Sequence, residues 1–516
     1  MKLLIVHYHL RPGGIRRIIE SATPHLVTQH KPAIEEVILA TGEAKDREWV
    51  SDFAKCLAPL SLRLLPCHAF NYISEQRGSA PKIRGQIRRA ISNLLDSHES
   101  WLVWFHNPGV GRNLILVREL ARACDGRRCS VVFHHHDWWF DNRWQRWPEM
   151  RRSQFRTLGQ VASAIFPAGR NFKHATINRA DATSLRSGLS ARTHWLPNLT
   201  ERGRPVSKQA AQSARRWLQE IFGIKEGPIW ILPGRLLRRK NVAEAILLTR
   251  WLRPEAWLIT TGGISSAQEQ AYGERLKSLI EKFNWPVRLG ILEGNQKGKP
   301  SVASLIALSE SVLLTSVQEG FGLPYLEAIA ADRPLIARRI PNVMPDLLDI
   351  GFVFPYTYQE IRIPPHLFDL RAERRRQDVL FRTWRSHLPR SCRQNVQKPD
   401  WLESDNLPFA RLTLTAQIEV LKQPLEHSWQ GCRGLNPFLI EWAECIQRGT
   451  LRSMAWPSRA NGFLSGPAYG KRLAAVFAPK SGDQKQGRAA QATQRKFIRE
   501  KLKKTHLFPL LWAEVT

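Results

Sequence analysis

No run of about 18 consecutive apolar residues occurs in the 516-residue chain, so no segment reads as a membrane-spanning helix. Cysteine is sparse and unpatterned. The seven, at positions 56, 67, 124, 129, 392, 432 and 445, include no Cys-x-x-Cys pair. An odd, scattered set argues against a disulfide framework or a structural zinc and suits a reducing cytoplasm. The apolar part of the opening, Met1 to Tyr8, is too short for a signal peptide and reads as a first strand. There is no solenoid-type repeat and no Asp-x-Asp pair. Acidic residues are also scarce, 45 against 77 Lys and Arg, for a net charge of +32. Such a field attracts phosphates, acidic glycans, anionic lipid head groups or nucleic acid. The arginines are spread along the whole chain, so the same charge also suits plain solubility.

What is present is enough apolar material, 43%, to fill the cores of two or three domains. In the first half Leu3–His7, Glu36–Leu39, Leu62–Leu65, Trp101–Phe105, Ser130–His134 and Thr193–Leu196 read as strands, with helices such as Ile15–His25 and Ile83–Leu95 between them. In the second half Ile229–Leu232, Ala256–Thr260, Val287–Leu289, Val312–Thr315 and Leu335–Ala337 are strands. Helical runs such as Val242–Trp251 and Gln268–Phe283 separate them. Strand–helix alternation predicts parallel, doubly wound α/β sheets. The polar stretch Glu201–Gln219 is the expected bridge.

The most informative segment follows the apolar run Val312–Thr315. In Glu319-Gly320-Phe321-Gly322-Leu323-Pro324-Tyr325-Leu326-Glu327, two glycines flank an aromatic, so the backbone can turn tightly and offer bare N–H groups. Pro324 suits the first turn of a helix. Glu319 stands in the loop and Glu327 one turn into the helix. Two carboxylates at the C-terminal end of a parallel strand suit a polyhydroxylated ligand, since each accepts several hydroxyl hydrogen bonds. Directly after Ile229–Leu232 comes Gly234-Arg235-Leu236-Leu237-Arg238-Arg239-Lys240-Asn241, a loop whose Arg235 and Lys240 can reach one anionic point.

These segments resemble the E-x7-E signature and the Gly-Arg…Lys-Gly phosphate loop of retaining family 4 glycosyltransferases, glycosyl transferases group 1, of the GT-B fold. The resemblance covers residues 1–355. It implies two Rossmann-like domains facing a cleft, an acceptor-side domain over 1–200 and a nucleotide-sugar-binding domain over 215–355. A helical or irregular extension with a basic, mobile tail would occupy 356–516. It further implies that Glu327 binds the ribose hydroxyls of a nucleotide-sugar donor. Glu319 and the amides of Gly320, Phe321, Gly322 and Leu323 would hold the donor sugar, and Arg235 and Lys240 its diphosphate. Asn241 stands where the family has glycine, a departure that the tolerance of Asn for similar backbone angles softens.

Weaker matches extend the set. Pro12-Gly13-Gly14, after the first strand, fits the family's Gly-Gly loop near the donor diphosphate, and Gly262 in Thr261-Gly262-Gly263 its glycine loop near the base. Asn178 and Asn198 match its strand-end asparagines. Phe133-His134-His135-His136-Asp137 invites a metal reading, but consecutive residues on a strand face opposite ways, so at most two of its histidines share a centre. By resemblance His136 touches the donor sugar, with His135 the alternative register. His106 and Asn107, on the neighbouring strand end, are acceptor-side candidates.

Without Asp-x-Asp, leaving-group charge falls to Arg235, Lys240 and helix N-termini, so no metal and no cofactor are expected. The implied reaction is metal-independent hexosyl transfer with retention of anomeric configuration, in glycan biosynthesis. The acceptor is expected to be anionic or membrane-proximal, and the protein cytoplasmic or peripheral at the inner membrane surface. Phe409–Lys422 is the expected element crossing back to the first domain. The basic–aromatic end, residues 494–512, either lies on an anionic membrane or docks its apolar residues on the core. Two alternatives stand: a non-catalytic basic protein binding nucleic acid or an anionic glycan, with Trp138–Trp147 as a stacking surface, and another GT-B enzyme such as an epimerase. No nucleic-acid module is visible, so no specific nucleic acid is expected. Oligomeric state is not legible.

Overall fold

The computed structural model describes the chain except residues 44–45, 96–98, 204, 225, 265, 395, 479–486 and 513–516. Two compact units result. The first comprises Met1–Glu201, Ser386–Val396 and Asn461–Lys503, and the second Arg202–Arg385, Gln397–Ala460 and Lys504–Thr516.

The first unit holds a parallel sheet of seven strands: β1 Lys2–His7, β2 Glu36–Thr41, β3 Ser61–Pro66, β4 Trp101–His106, β5 Cys129–His135, β6 Phe172–Thr176 and β7 Thr193–Trp195, in the order β3-β2-β1-β4-β5-β6-β7. The second holds β8 Ile229–Leu232, β9 Trp257–Thr260, β10 Val287–Arg288, β11 Ser311–Leu314, β12 Leu335–Arg338 and β13 Tyr356–Tyr358, also parallel, in the order β10-β9-β8-β11-β12-β13. A two-residue antiparallel ladder, β14 Arg362–Ile363 with β15 Leu407–Pro408, completes the described strands. Both large sheets are doubly wound, and in both the strand order reverses beside the first strand, between β1 and β4 and between β8 and β11. The crevice outside the carboxyl ends of strands at such a switch point is where open α/β sheets bind ligands.

The strands form where apolar runs are bounded by turns, and both faces are buried. β1, β4 and β11 show almost no exposure along their length. Sequence reading missed β6, whose Lys173 and His174 break the apolar pattern. Lys173 is nevertheless buried, its ammonium donating to the carbonyl of Phe477 at 2.9 Å. Helix Gly14–Gln29 carries Ile18, Ile19, Ala22 and Leu26 on one buried stripe.

That stripe packs against a partner from the far end of the chain. Helix Gly466–Phe477 buries Tyr469, Leu473, Val476 and Phe477 in the same core as Leu3, Ile5 and Leu39. The extension expected over 356–516 is therefore divided between the units. The expected crossing element at Phe409–Lys422 instead gives helix Leu414–Leu421 of the second unit, which packs on helix Val242–Leu252. The end of the chain docks. Phe497, Ile498, Leu507, Phe508, Leu510 and Trp512 are buried, so its apolar residues are not available to a bilayer. Residues 479–486 and 513–516 of the expected tail lie outside the described residues. No helix among the described residues is long and apolar enough to cross a membrane.

The two helices approach closely because the contact has no side chain on one side. A Cβ on Gly470 would lie 2.4 Å from the carbonyl oxygen of His25, and one on Gly466 1.8 Å from its ring Nε2. Backbone cannot yield as a flexible side chain does. Gly470→Val should lower the unfolding free energy of the protein by about 1–3 kcal/mol, the range for overpacking, measured by urea denaturation. An unchanged midpoint would mean that this helix is dispensable to the core.

Candidate active site

In the second unit the loops after β8 and β11 meet at the switch point. The β8 loop turns at Gly234, whose φ of +122° is unsuited to a side chain and past which the Lys240 stem runs 3.1 Å from where a Cβ would sit. The neighbouring β9 loop supports it. Thr261 Oγ1 accepts the Gly234 N–H at 2.8 Å, the Gly262 N–H donates to the Gly234 carbonyl at 2.8 Å, and a Cβ on Gly262 would stand 3.0 Å from Arg235 Cα. Gly262 is thus glycine because two loops touch there.

Glu319 is 8% exposed and accepts three hydrogen bonds: Lys240 Nζ at 2.6 Å and Ser316 Oγ at 2.7 Å on Oε1, and Arg239 Nη1 at 2.8 Å on Oε2. Backbone bonds reinforce the pairing. The Val317 N–H donates to the Arg239 carbonyl at 2.8 Å, Thr315 Oγ1 donates to the carbonyls of Lys240 and Asn241, and Asn342 Nδ2 donates to the Glu319 carbonyl. Burial alone would raise the Glu319 carboxyl, but Arg239 and then Lys240 outweigh it and hold it down at about 2. Gly322, at φ +76°, turns the chain into helix Leu323–Ala330, leaving Glu327 half-exposed one turn in. Glu327 is close enough for its charge to act on Lys240. Phe321 is buried.

Two residues differ in place from the sequence reading. Arg239, not singled out, is the second cation on Glu319, whereas Arg235 is exposed on the β8 loop beside Gly262. No spacing rule distinguishes three consecutive basic residues; only the turn of the short helix Arg238–Lys240 decides which ones face Glu319. Asn241 adopts the left-handed backbone that its glycine counterpart would, φ 48° and ψ 56°. Its amide also donates to Glu244 at 2.9 Å, joining a buried Glu244–Arg338–Tyr358 network that sequence reading did not reach.

In the first unit, Gly13 precedes and Gly14 opens helix Gly14–Gln29, and a Cβ on Gly14 would meet nothing within 4 Å. Here the protein itself does not demand glycine. The histidines sort by register. His106 on β4 pairs with His134 on β5, so both rings share one face, and His136 returns to it two residues on. His106 Nδ1 lies 3.3 Å from His136 Nε2, and each of His106, His134 and His136 has a ring nitrogen within 4.8 Å of those of the other two. His135 turns the other way, stacked 4.4 Å from Trp138 and bonded to His174 at 3.1 Å, which removes it as the alternative to His136. His106 is fully buried beneath His136 rather than on a rim. Asn107 Oδ1 accepts the N–H groups of His136 and Asp137 while its Nδ2 donates to Asp137, so it positions the β5 loop. Burial lowers the His136 ring to about 4, leaving it neutral at pH 7. Trp138, Trp139 and Trp144 are at most 1% exposed, so they form core and cannot stack bases.

Residues 215–352 match the family model described as glycosyl transferases group 1. The mannosylglucosyl-3-phosphoglycerate synthase of Petrotoga mobilis is 22% identical over 377 residues, 70% of this chain and 70% of that protein. The GDP-mannose-dependent alpha-(1-6)-phosphatidylinositol monomannoside mannosyltransferase of Mycolicibacterium smegmatis is 23% identical over 358 residues, 68% of this chain and 83% of that one. The solved sucrose-phosphate synthase of Thermosynechococcus elongatus shares the fold, with a TM-score of 0.51 at 15% identity over 92% of this chain and 97% of that one. The architecture is therefore GT-B, two Rossmann-like doubly wound domains.

A depressed carboxyl contributes stability above its unfolded value near 4.5 and loses it as pH falls through the folded value near 2. Urea unfolding of the wild type should weaken over that window, and Glu319→Gln should flatten the dependence there while destabilising the protein at pH 7. Parallel pH curves for the two proteins would show that Glu319 is not ionised in the fold.

Proposed function

From its group 1 glycosyltransferase domain, residues 215–352, we infer that this chain moves a sugar from a nucleotide-sugar donor to a phosphate-bearing acceptor. The observation that carries the reading is the buried Glu319–Lys240 pair at the switch point, with Arg239 beside it and Glu327 one turn into the following helix. An ammonium has three donors. Glu319 takes one from Lys240, which leaves donors for a diphosphate arriving on the same side, together with Arg235. Glu327 accepts the ribose hydroxyls. Glu319 and the amides from Gly320 to Leu323 take the sugar.

Negative charge grows on the diphosphate as the glycosidic bond breaks, and fixed cations already in place lower that barrier without reorganising. Lys240 therefore serves the departing phosphate more than the bound one. No metal is required for that charge. Retention follows if the acceptor hydroxyl attacks on the face the diphosphate leaves, with a phosphate oxygen taking its proton.

The acceptor reading rests on charge in the first unit. A cavity of about 1060 Å³ is lined by Arg151, Arg156, Arg390, Arg393, Arg495 and Arg499 together with Leu158, Ile498 and Leu502, and by no carboxylate. Guanidinium groups beside apolar side chains suit a phosphate carried on a less polar body. The two curated relatives have names that include phosphoglycerate and phosphatidylinositol, which fits such an acceptor.

The test is donor screening with product mass spectrometry, run in EDTA throughout. Turnover should persist, and Glu327→Ala should weaken nucleotide-sugar affinity by about 2 kcal/mol, the scale for charge-assisted hydrogen bonds. Unchanged affinity would remove the ribose role, and activity recovered only with added divalent ion would remove the metal-free mechanism. Arg390→Glu with Arg499→Glu should raise the KM for a phosphate-bearing acceptor while kcat for a neutral one stays unchanged. Equal effects on both acceptors would place the acceptor site elsewhere.

A further inference from the structure

We propose that His106, His134 and His136 form a three-histidine site for a borderline divalent transition-metal ion of the zinc class. The first ground is geometry. Parallel register sets His106 beside His134, and His136 follows on the same face, so three imidazoles from two strand ends converge with ligand atoms no more than 4.8 Å apart. The 3.3 Å between His106 Nδ1 and His136 Nε2 equals the edge of a tetrahedron with metal–nitrogen bonds of about 2.0–2.1 Å.

The second ground is unmet bonding. His134 has no solvent exposure, and neither ring nitrogen has a hydrogen-bond partner of ordinary geometry, although the Leu196 backbone lies near; His106 Nε2 is likewise unpartnered. A buried polar atom left unpaired is destabilising. A neutral imidazole has one lone pair and one N–H. Within the cluster His106 and His136 contact each other, the His134 nitrogens have no partner of ordinary geometry, and an ion would take one lone pair from each ring.

The surroundings fit. Imidazole without thiolate or carboxylate suits Zn²⁺, Co²⁺, Ni²⁺ or Cu²⁺ rather than Mg²⁺ or Ca²⁺. Asn107 holds the His136 backbone, His7 Nδ1 approaches the His106 carbonyl at 3.4 Å, and Trp104 packs 4.2 Å from the His106 ring, so the rings are oriented before an ion arrives. Three protein ligands leave a fourth position open.

The full-length protein, freed of metal by chelator and then dialysed, is titrated with Zn²⁺ against a chromophoric chelator and, separately, with Co²⁺ followed by visible absorption. One equivalent should bind, and Co²⁺ should give the intense d–d bands of a four-coordinate site without a thiolate charge-transfer band. His134→Gln and His106→Gln should each weaken binding at least tenfold. The Co²⁺ spectrum of the wild type decides the matter should either variant fail to fold. A thiolate band, a six-coordinate spectrum, or binding unchanged in a folded variant would overturn the site. A protein with no transferase activity at all would still report the metal through its spectrum.

Discussion

A carboxylate buried between two cations is costly to make and more costly to leave half-made, and that asymmetry governs the second domain. Glu319, Lys240 and Arg239 come from two loops that share no strand, and removing Glu319 would leave the buried Lys240 ammonium without its counter-charge. Two-sided demand of this kind fixes the separation of the β8 and β11 loops before any ligand is bound. It also explains the backbone bonds around it, from Val317 to Arg239 and from Thr315 to Lys240 and Asn241, which hold the loops at the distance the ion pair needs. The cations are therefore in place once the two loops have folded.

The first domain solves a different problem with the same topology. Its switch point between β1 and β4 gathers aromatic rings and uncharged imidazoles. Parallel register is what gathers them, since residues aligned across neighbouring strands point the same way. One domain thus presents fixed charge at its strand ends, and the other presents lone pairs.

Much of this was legible in the chain. Apolar runs ending in turns located most strands of the two sheets, and Glu319 and Glu327 stand after β11 in the loop and the helix that the sequence pattern predicts. What was not legible depends on orientation or on distance along the chain. The three basic residues 238–240 look alike in one dimension, and only helical rotation turns Arg239 toward Glu319. His106 was visible as a strand-end histidine, but its partnership with His134 needs the β4–β5 register, which no local pattern states. β6 was hidden because Lys173 is buried through its bond to Phe477, some three hundred residues away. Helix Gly466–Phe477 fell in a stretch that looked loosely ordered because its glycines, which weaken an isolated helix, are what let it lie against His25.

The chain passes from one unit to the other at Glu201, Arg385, Val396, Ala460 and Lys503. The first domain is therefore not complete when its seven strands have been made. Until residues 466–477 leave the ribosome, the stripe of Ile18, Ile19 and Leu26 lacks its cover, and the nascent polypeptide must carry an open apolar seam while the entire second sheet is synthesised. Vectorial synthesis thus runs opposite to the usual expectation for a two-domain protein: the C-terminal sheet closes on itself before the N-terminal one is sealed. A fragment ending at the first domain boundary inherits that seam permanently, and its exposed aliphatic surface makes it a poor stand-alone protein whatever the quality of its sheet.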